Sequence, residues 1–521
     1  MKRAATEHQR RCRLLAACGI IVAEVALPAI RSPDLGGNLL PWLSRRWQDS
    51  LGHAGRRNSE RRVTRWVNAA EQYAENDCRL TWGFPAATAD ESAQWLGDRL
   101  VWWTQPPPSG SSVAVVSSRL GRPLDLRRRW FAALRAACRS VDPCFEYLMT
   151  ADKTAADRFV VRAAALYDLP LVRVHLPPRR QSVATWLEQM LAGHWTSQVR
   201  AVSTICHTWL SPPLADDPMA QLPVQDRLLV GNAARLFVCH VRPHGAVQEL
   251  VQKRLANSAM QKQCVTLAVG VGRTEEPTVR RLVRSGADPL CIAVAARSTA
   301  RASAAPQHPL PPGATAPIVP LDQWLQSRPY LIHCTRHQIA PWPDQDEEEF
   351  FEDLIMDLPA ADHSALATLQ RILETRRLCA TNRTIRGGYQ VVSLSRVPLH
   401  RLPKLRVYRP HRTRWDFQPY GVGIDLAWLA RRGARPVRYG DQTTWQRLSS
   451  AERPFFQLAR GRASAGIDWT VEREWRHLGD VSLAALNPDE AFVFVPTLAA
   501  ARQLRTVSRW PIVVVASAAN P

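Results

Sequence analysis

Three short segments in the last third of the chain carry side chains able to do chemistry on a nucleotide. They are Tyr330-Leu331-Ile332-His333-Cys334-Thr335-Arg336, Phe417-Gln418-Pro419-Tyr420-Gly421-Val422-Gly423 and Glu472-Arg473-Glu474-Trp475-Arg476. If the first is a strand, His333 and Thr335 alternate with Cys334 and share a face. An imidazole there can hydrogen-bond a ribose hydroxyl. Tyr420, between Pro419 and Gly421, puts a ring at the mouth of a strand, where it can stack on a nicotinamide or a base. Glu472 and Glu474 alternate with Arg473, so they too share a face. A carboxylate there can stabilise an oxocarbenium ion or orient an attacking hydroxyl. A His, a ring and a Glu on adjoining strands are sufficient for cleaving the glycosidic bond of NAD. Each has a plainer reading: His333 as a satisfied, half-buried histidine, Tyr420 as part of a packed turn, and Glu474 as the ion-pair partner of Arg473 or Arg476.

A second set of polar residues sits earlier, in three loops that follow strand-like runs. These are Ser117-Ser118-Arg119-Leu120-Gly121-Arg122, Thr150-Ala151-Asp152-Lys153-Thr154 and Arg242-Pro243-His244-Gly245-Ala246. In a doubly wound sheet, ligands bind outside the carboxyl ends of the strands, near helix N-termini. Hydroxyls, Arg and free helix-start amides suit a phosphate.

The elements needed to position these loops are legible. Val113–Val116 is a short apolar run, as expected of a strand buried on both faces. Leu126–Arg139 reads as a helix, Glu146–Met149 as a strand, and Thr150–Asp168 as a helix with Thr154 and Asp157 as a capping box. Leu171–Val174 is a third strand. After a less regular segment come a strand at Leu236–Val241, a helix at His244–Ala256 with Val247, Leu250, Val251 and Leu255 inward, and strands at Val265–Val269 and Leu290–Ala295. Such alternation implies a parallel sheet with right-handed crossovers. Further on, Asp344–Glu349 opens an amphipathic helix carrying Phe350, Leu354 and Leu358. Leu366, Leu369 and Leu373 mark another. Strands follow at Gln390–Leu394, Val422–Ile424, Pro436–Tyr439 and Phe492–Val495. Arg383, Arg386, Gly387 and Gly388 form a basic loop that reads as a surface turn or a pyrophosphate contact.

The predicted organisation is a mostly helical region at 1–105, a Rossmann-like module at 106–297, an Ala/Pro-rich linker at 298–327 and an α+β module at 328–521. Within the first region, Leu14–Ile30 mimics a signal peptide. Glu24 interrupts it, and it falls short of the roughly 20 residues a membrane span needs. It reads as a buried helix, as does Ser59–Tyr73. No membrane segment is expected, and a cytoplasmic location is the expectation.

At 521 residues, two or three domains are the prior. The formal charge of +22 invites a nucleic-acid reading. However, the only lysines are Lys2, Lys153, Lys253, Lys262 and Lys404, and the arginines are dispersed, so polyanion affinity in general is the stronger inference. The eleven cysteines are scattered and form no CxxC pair. Reduced, buried thiols fit better than a disulfide framework, and no metal site is expected.

The front half resembles the superfamily joining DprA DNA-processing proteins to lysine-decarboxylase-like (SLOG-type) nucleotide-binding proteins. Ser118-Arg119, Thr150–Thr154, Asp226-Arg227-Leu228-Leu229 and His244-Gly245-Ala246 fall in that family's order over about residues 111–300. The chain departs from it at Ala151, Asp152 and Lys153, where the family is rich in glycine. The resemblance implies nucleotide sensing, with Ser118, Arg119, Thr154, His244 and Gly245 as ligand contacts. Residues 328–500 resemble ADP-ribosyltransferases, nearest to DarT-like and AbiGi-like abortive-infection proteins. That resemblance implies a bacterial defence protein using NAD, in which His333 holds the ribose, Thr335 is a further cofactor contact, Tyr420 packs on nicotinamide, and Glu472 or Glu474 is catalytic, acting on a protein or nucleic-acid target. A non-catalytic nucleotide- or partner-binding protein, and a DprA-like single-stranded DNA accessory, are the alternatives.

Overall fold

The computed structural model describes residues 79–82, 95, 100–103, 110–121, 123–175, 201–207, 221–257, 264–270, 276–294, 311, 314–320, 329–382, 385–409, 414–459 and 468–515. The apolar candidates at Leu14–Ile30 and Ser59–Tyr73 lie outside them. The described residues fall into two compact units. The first comprises those of Met1–Gly121, Arg127–Ala295 and Ile355–Asp357; the second, those of Arg122–Leu126, Ala296–Leu354 and Leu358–Pro521.

The first unit is built on a nine-stranded sheet. Its strands are β1 (Arg79–Trp82), β2 (Leu100–Trp103), β3 (Ser111–Ser117), β4 (Glu146–Ala151), β5 (Leu171–His175), β6 (Ala201–His207), β7 (Arg235–His240), β8 (Val265–Gly270) and β9 (Asp288–Ile292). They lie in the order β1-β2-β6-β5-β4-β3-β7-β8-β9. Every neighbouring pair from β6 through β9 is parallel. The order reverses at β3, whose neighbours are β4 on one side and β7 on the other, and this is the topological switch point of a Rossmann-like sheet. β1 and β2 pair antiparallel and extend the β6 edge. Within the 1–105 region, Arg79–Trp82 and Leu100–Trp103 are strands of the front sheet, and Trp95 is helical.

The helices of this unit are α1 (Arg128–Arg139), α2 (Asp157–Leu166), α3 (Val224–Asn232), α4 (Ala246–Ala256) and α5 (Pro277–Arg284). α1 and α2 meet through Trp130, Phe131 and Phe159, whose rings are edge-to-face at centroid distances of 5.0–5.3 Å. Such pairs contribute about 0.5–1.5 kcal/mol each beyond burial. On the core side, Val116, Met149, Val172, Val238 and Val269 join Leu228, Leu250, Val251 and Leu282 from the helices.

The predicted capping box at Thr154 does not form. α2 starts two residues later than that cap requires, at Asp157, with no side-chain cap. The Thr154 hydroxyl instead closes its own turn on the Ala151 carbonyl at 2.8 Å. Asp157 is drawn away by Arg173 of β5, with contacts of 3.1 and 2.7 Å.

The second unit is an α+β fold on an eight-stranded sheet. Across it run Ile318–Val319, Ile512–Val514, Ala491–Val495, Gly421–Asp425, Tyr330–Cys334, Val391–Ser395, Glu474–Leu478 and Arg435–Pro436. The first two junctions are parallel and the rest antiparallel. Ile318–Val319 lies within the predicted 298–327 linker and forms the edge of this sheet. The sheet has two apolar faces. One packs Leu331, Val392, Leu394, Val422 and Val493 against Leu369, Leu373 and Trp510. The other packs Ile332, Phe492, Phe494 and Val513 against Leu399 and Leu402. The acidic helix spans Glu347–Met356 with Phe350 and Leu354 buried, whereas Leu358 lies beyond it and is exposed.

Gly421 and Gly423 have a packing reason rather than a turn reason. They pair across the sheet with Phe494 and Phe492. A Cβ on Gly423 would run into the Phe492 ring, and one on Gly421 into the His333 carbonyl and the Phe494 ring.

Candidate functional sites

At the switch point of the first unit, the loops after β3 and β7 interlock. The β3–β7 register slips between Val116 and Ser117, a local irregularity of the kind that re-aims strand ends. The Ser118 amide then donates to the His240 carbonyl at 2.8 Å. The Ser118 hydroxyl, buried, accepts from the Arg242 amide at 3.0 Å, and the Arg242 guanidinium donates to the Arg119 carbonyl at 2.7 Å. Ser117 ties the base of the loop to α1, accepting from the Trp130 indole at 2.9 Å.

His244 has φ of 57°, in the left-handed region, and its amide donates to the buried Gln248 side chain at 2.8 Å. Gly245 is the N-cap residue of α4, and no side chain caps that helix. The first-turn amides of α4 therefore lie beside Ser118 at the carboxyl edge of the sheet, and a helix start of this kind favours an anion. A Cβ on Gly245 would sit 3.2 Å from the Arg242 carbonyl and 3.8 Å from the Ser118 hydroxyl, so glycine keeps this approach open. The Arg119 guanidinium has no hydrogen-bond partner among the described residues.

Sequence reasoning placed Ser118, Arg119, His244 and Gly245 here, and the fold brings them together. Thr154 is not part of the group, because its hydroxyl is engaged in its own turn. Asp226, a site residue that its sequence context does not mark, joins this group. It lies in the first turn of α3, at this same edge of the sheet, within electrostatic reach of Arg119. Burial pushes its carboxyl up to about 6, and Arg119 draws it part of the way back.

The second unit contains a cleft of about 150 Å³. Its floor is Ile332, Cys334, Ser393, Ser395, Glu474 and Arg476; Trp415, Phe417 and Trp469 form aromatic walls; Arg336, Asp416, Gln457 and Glu472 line it with polar groups. Glu472 arrives by a different route from the predicted strand alternation. It ends a 3-10 turn, Trp469–Glu472, and Arg473 follows with φ of 44°. That left-handed residue reverses the chain before the strand Glu474–Leu478. The Ser395 hydroxyl donates to the Glu472 carbonyl at 2.5 Å and holds the reversal in place.

Glu474 is committed to Arg476. The guanidinium grips the carboxylate through two contacts of 3.0 Å. It also donates to the Pro454 carbonyl at 3.0 Å, the Phe456 carbonyl at 2.8 Å and the Gln457 side chain at 2.8 Å, so all five of its donors are engaged. The plainer reading of Glu474 is the one realised. Burial pushes the Cys334 thiol up to about 12, which keeps it protonated and unreactive at neutral pH.

His333 and Tyr420 do not share this cleft, and here the predicted constellation is corrected. His333 alternates with Ile332 and Cys334, which belong to the opposite face of the strand. Its ring projects with Leu331 and donates from Nδ1 to the Ser393 carbonyl at 3.0 Å. The residue as a whole keeps some surface, yet its ring is desolvated, which pushes the imidazole down to about 4. Tyr420 packs against the same face, and its carbonyl accepts from the Thr335 amide at 2.8 Å. Trp475 also packs there, so its neighbours Glu474 and Arg476 project to the other side. Thr335 borders the cleft, but its hydroxyl donates to the Ala365 carbonyl at 2.9 Å. The Arg386 loop folds as a surface turn: Arg386 stacks on Trp445 at 4.6 Å and donates to Gln442.

Among the described residues, no cluster of three or more His, Cys, Asp or Glu is arranged to hold a metal, and no helix is long and apolar enough to cross a membrane.

No protein-family model matches the chain, and no curated protein matches it. Among solved structures, it is similar to DNA processing protein A (DprA) from Streptococcus pneumoniae, at 12% identity, over 54% of this chain and 89% of that one, with a TM-score of 0.26. A score that low carries no argument about activity. The Rossmann-like character of the first unit rests on its own strand order.

Proposed function

We propose that the first unit binds a nucleotide through a phosphate at the carboxyl edge of its sheet, between the loops after β3 and β7. The observation that carries this reading is the interlock of Ser118, Arg119 and Arg242 beside the uncapped start of α4. A phosphate there meets the Arg119 guanidinium, which has no hydrogen-bond partner among the described residues, a second guanidinium anchored through a backbone carbonyl, and the amides of a helix start. Charge-assisted bonds to phosphate are the stronger class of hydrogen bond. The protein in this reading is a nucleotide sensor. Thermal denaturation of the full chain with AMP, GMP or inorganic phosphate tests it. A ligand-dependent rise in Tm that is lost in Arg119→Ala/Arg242→Ala supports the reading; no rise with any phosphate compound rejects it.

A second reading concerns the cleft of the second unit, which we propose takes one end of NAD or ADP-ribose, a ribose with its attached ring or hydroxyl, since about 150 Å³ does not hold the whole molecule. Three aromatic walls beside Glu472 and Arg336 favour it, because rings offer stacking surface and Arg336 a charge for phosphate. Glu472 is the carboxylate this reading retains for work on the ribose. His333 and Tyr420 have no role in it. Incubation of the purified protein with NAD distinguishes turnover, seen as nicotinamide release that Glu472→Gln abolishes, from binding alone.

A further inference from the structure

We infer that the front site reads the ribose as well as the phosphate, with Asp226 accepting the hydroxyl pair of a nucleotide's vicinal diol. The inference rests on the phosphate reading of that same edge. α3 runs directly into β7 through Ala233, so its first turn lies at the carboxyl edge of the parallel sheet, where the Ser118-Arg119 loop and Gly245 also lie. Three elements thus end at one edge of the sheet, contributing a guanidinium pair, helix-start amides and a single carboxylate.

The carboxylate calls for an explanation. Asp226 is half-buried, and neither of its oxygens accepts a hydrogen bond among the described residues. An acidic residue in the first turn of a helix ordinarily complements the dipole or caps an amide. Asp226 caps nothing, since α3 has no side-chain cap. Its electrostatic neighbour among the described residues is Arg119, a residue the phosphate reading already uses. A bare carboxylate beside a phosphate would repel the ligand if phosphate were the whole of it. It becomes favourable when the ligand presents hydroxyl donors next to its phosphate. A carboxylate has acceptor capacity for two such donors at once, and an acidic side chain serves this purpose for the ribose of dinucleotides in other Rossmann-type sites. The ligand class is accordingly a ribonucleotide with both ribose hydroxyls present, and a second phosphate crowded against Asp226 is disfavoured.

The test is a titration of the full-length protein with AMP, GMP, their 2′,3′-dideoxy counterparts and inorganic phosphate. Wild type is expected to prefer a ribonucleotide over its dideoxy form by about 10- to 100-fold, the range for hydrogen bonds to a charged group. Asp226→Ala is expected to erase that preference while leaving affinity for inorganic phosphate unchanged or higher; Asp226→Asn, closer in shape, guards against a folding defect. Equal binding of ribo- and dideoxynucleotides by wild type overturns the diol inference and leaves the phosphate site standing. A preference that survives in both Asp226 variants overturns the role of Asp226. Failure of wild type to bind any of these phosphate compounds overturns both readings together.

Discussion

Glu474 and Arg476 stand two residues apart on one strand, so they project from the same sheet face, and the arginine holds the carboxylate through two bonds of 3.0 Å. Arg476 is 1% exposed. A cation so deeply placed is tolerated only because every donor it has is met.

Glu474→Ala leaves that guanidinium without its counter-charge. The expected cost is about 3–5 kcal/mol, the range for breaking a buried pair from one side. Urea denaturation of the full chain, followed by the tryptophans of the second unit, reads it. A loss under about 1 kcal/mol, the scale of an exposed pair, contradicts the strut role.

Glu472→Gln tests the other carboxylate. The Glu472 backbone carbonyl accepts from Ser395, a contact the substitution leaves in place, and any nicotinamide release is expected to fall. Parallel measurement of Tm and NAD turnover separates the two carboxylates. Nicotinamide release that persists unchanged in Glu472→Gln contradicts the role given to this carboxylate.

The alternating front strands were legible because Val113–Val116 and Leu236–Val241 are apolar runs bounded by polar loops, and burial on both faces requires that. β6 was not legible, since Ser203, Thr204 and His207 interrupt its apolar pattern. The second-unit site was half legible. The three segments do lie on or beside sheet strands, and Glu472 and Glu474 do reach one cleft. Which face His333 takes depends on how Tyr330–Cys334 pairs with Gly421–Asp425 and Val391–Ser395. A slip of one residue reverses every side chain, and nothing local to His333 sets that register. Arg473 in a left-handed conformation is likewise set by its surroundings, not by its residue type.

His333 makes stability depend on pH. Its imidazole titrates near 4 in the folded chain, against an ordinary value near 6.5. Protonation therefore favours unfolding: the contribution is complete above pH 6.5 and is lost as pH falls toward 4, at about 1.4 kcal/mol per pH unit. The buried His363, also pushed down to about 4, adds a similar slope. Denaturation midpoints across pH 4–7 should flatten in His333→Asn. An unchanged slope contradicts the desolvated ring.

Gly423→Ala should destabilise the second unit by about 1–3 kcal/mol, the usual cost of overpacking. The added methyl meets the Phe492 ring, which is 1% exposed and has no room to turn. Phe492→Ala combined with Gly423→Ala should cost less than the sum of the two single changes, because the clash disappears with the ring. Strict additivity in urea midpoints contradicts the packing explanation.

The most direct test of the account is isothermal titration of the full-length protein with AMP and GMP, wild type against Arg119→Ala/Arg242→Ala. The account predicts saturable binding of at least one nucleotide by wild type, weakened about 10-fold or more when both guanidiniums at the β3–β7 crevice are removed. Binding unaffected by the double substitution, or no binding by wild type, contradicts it.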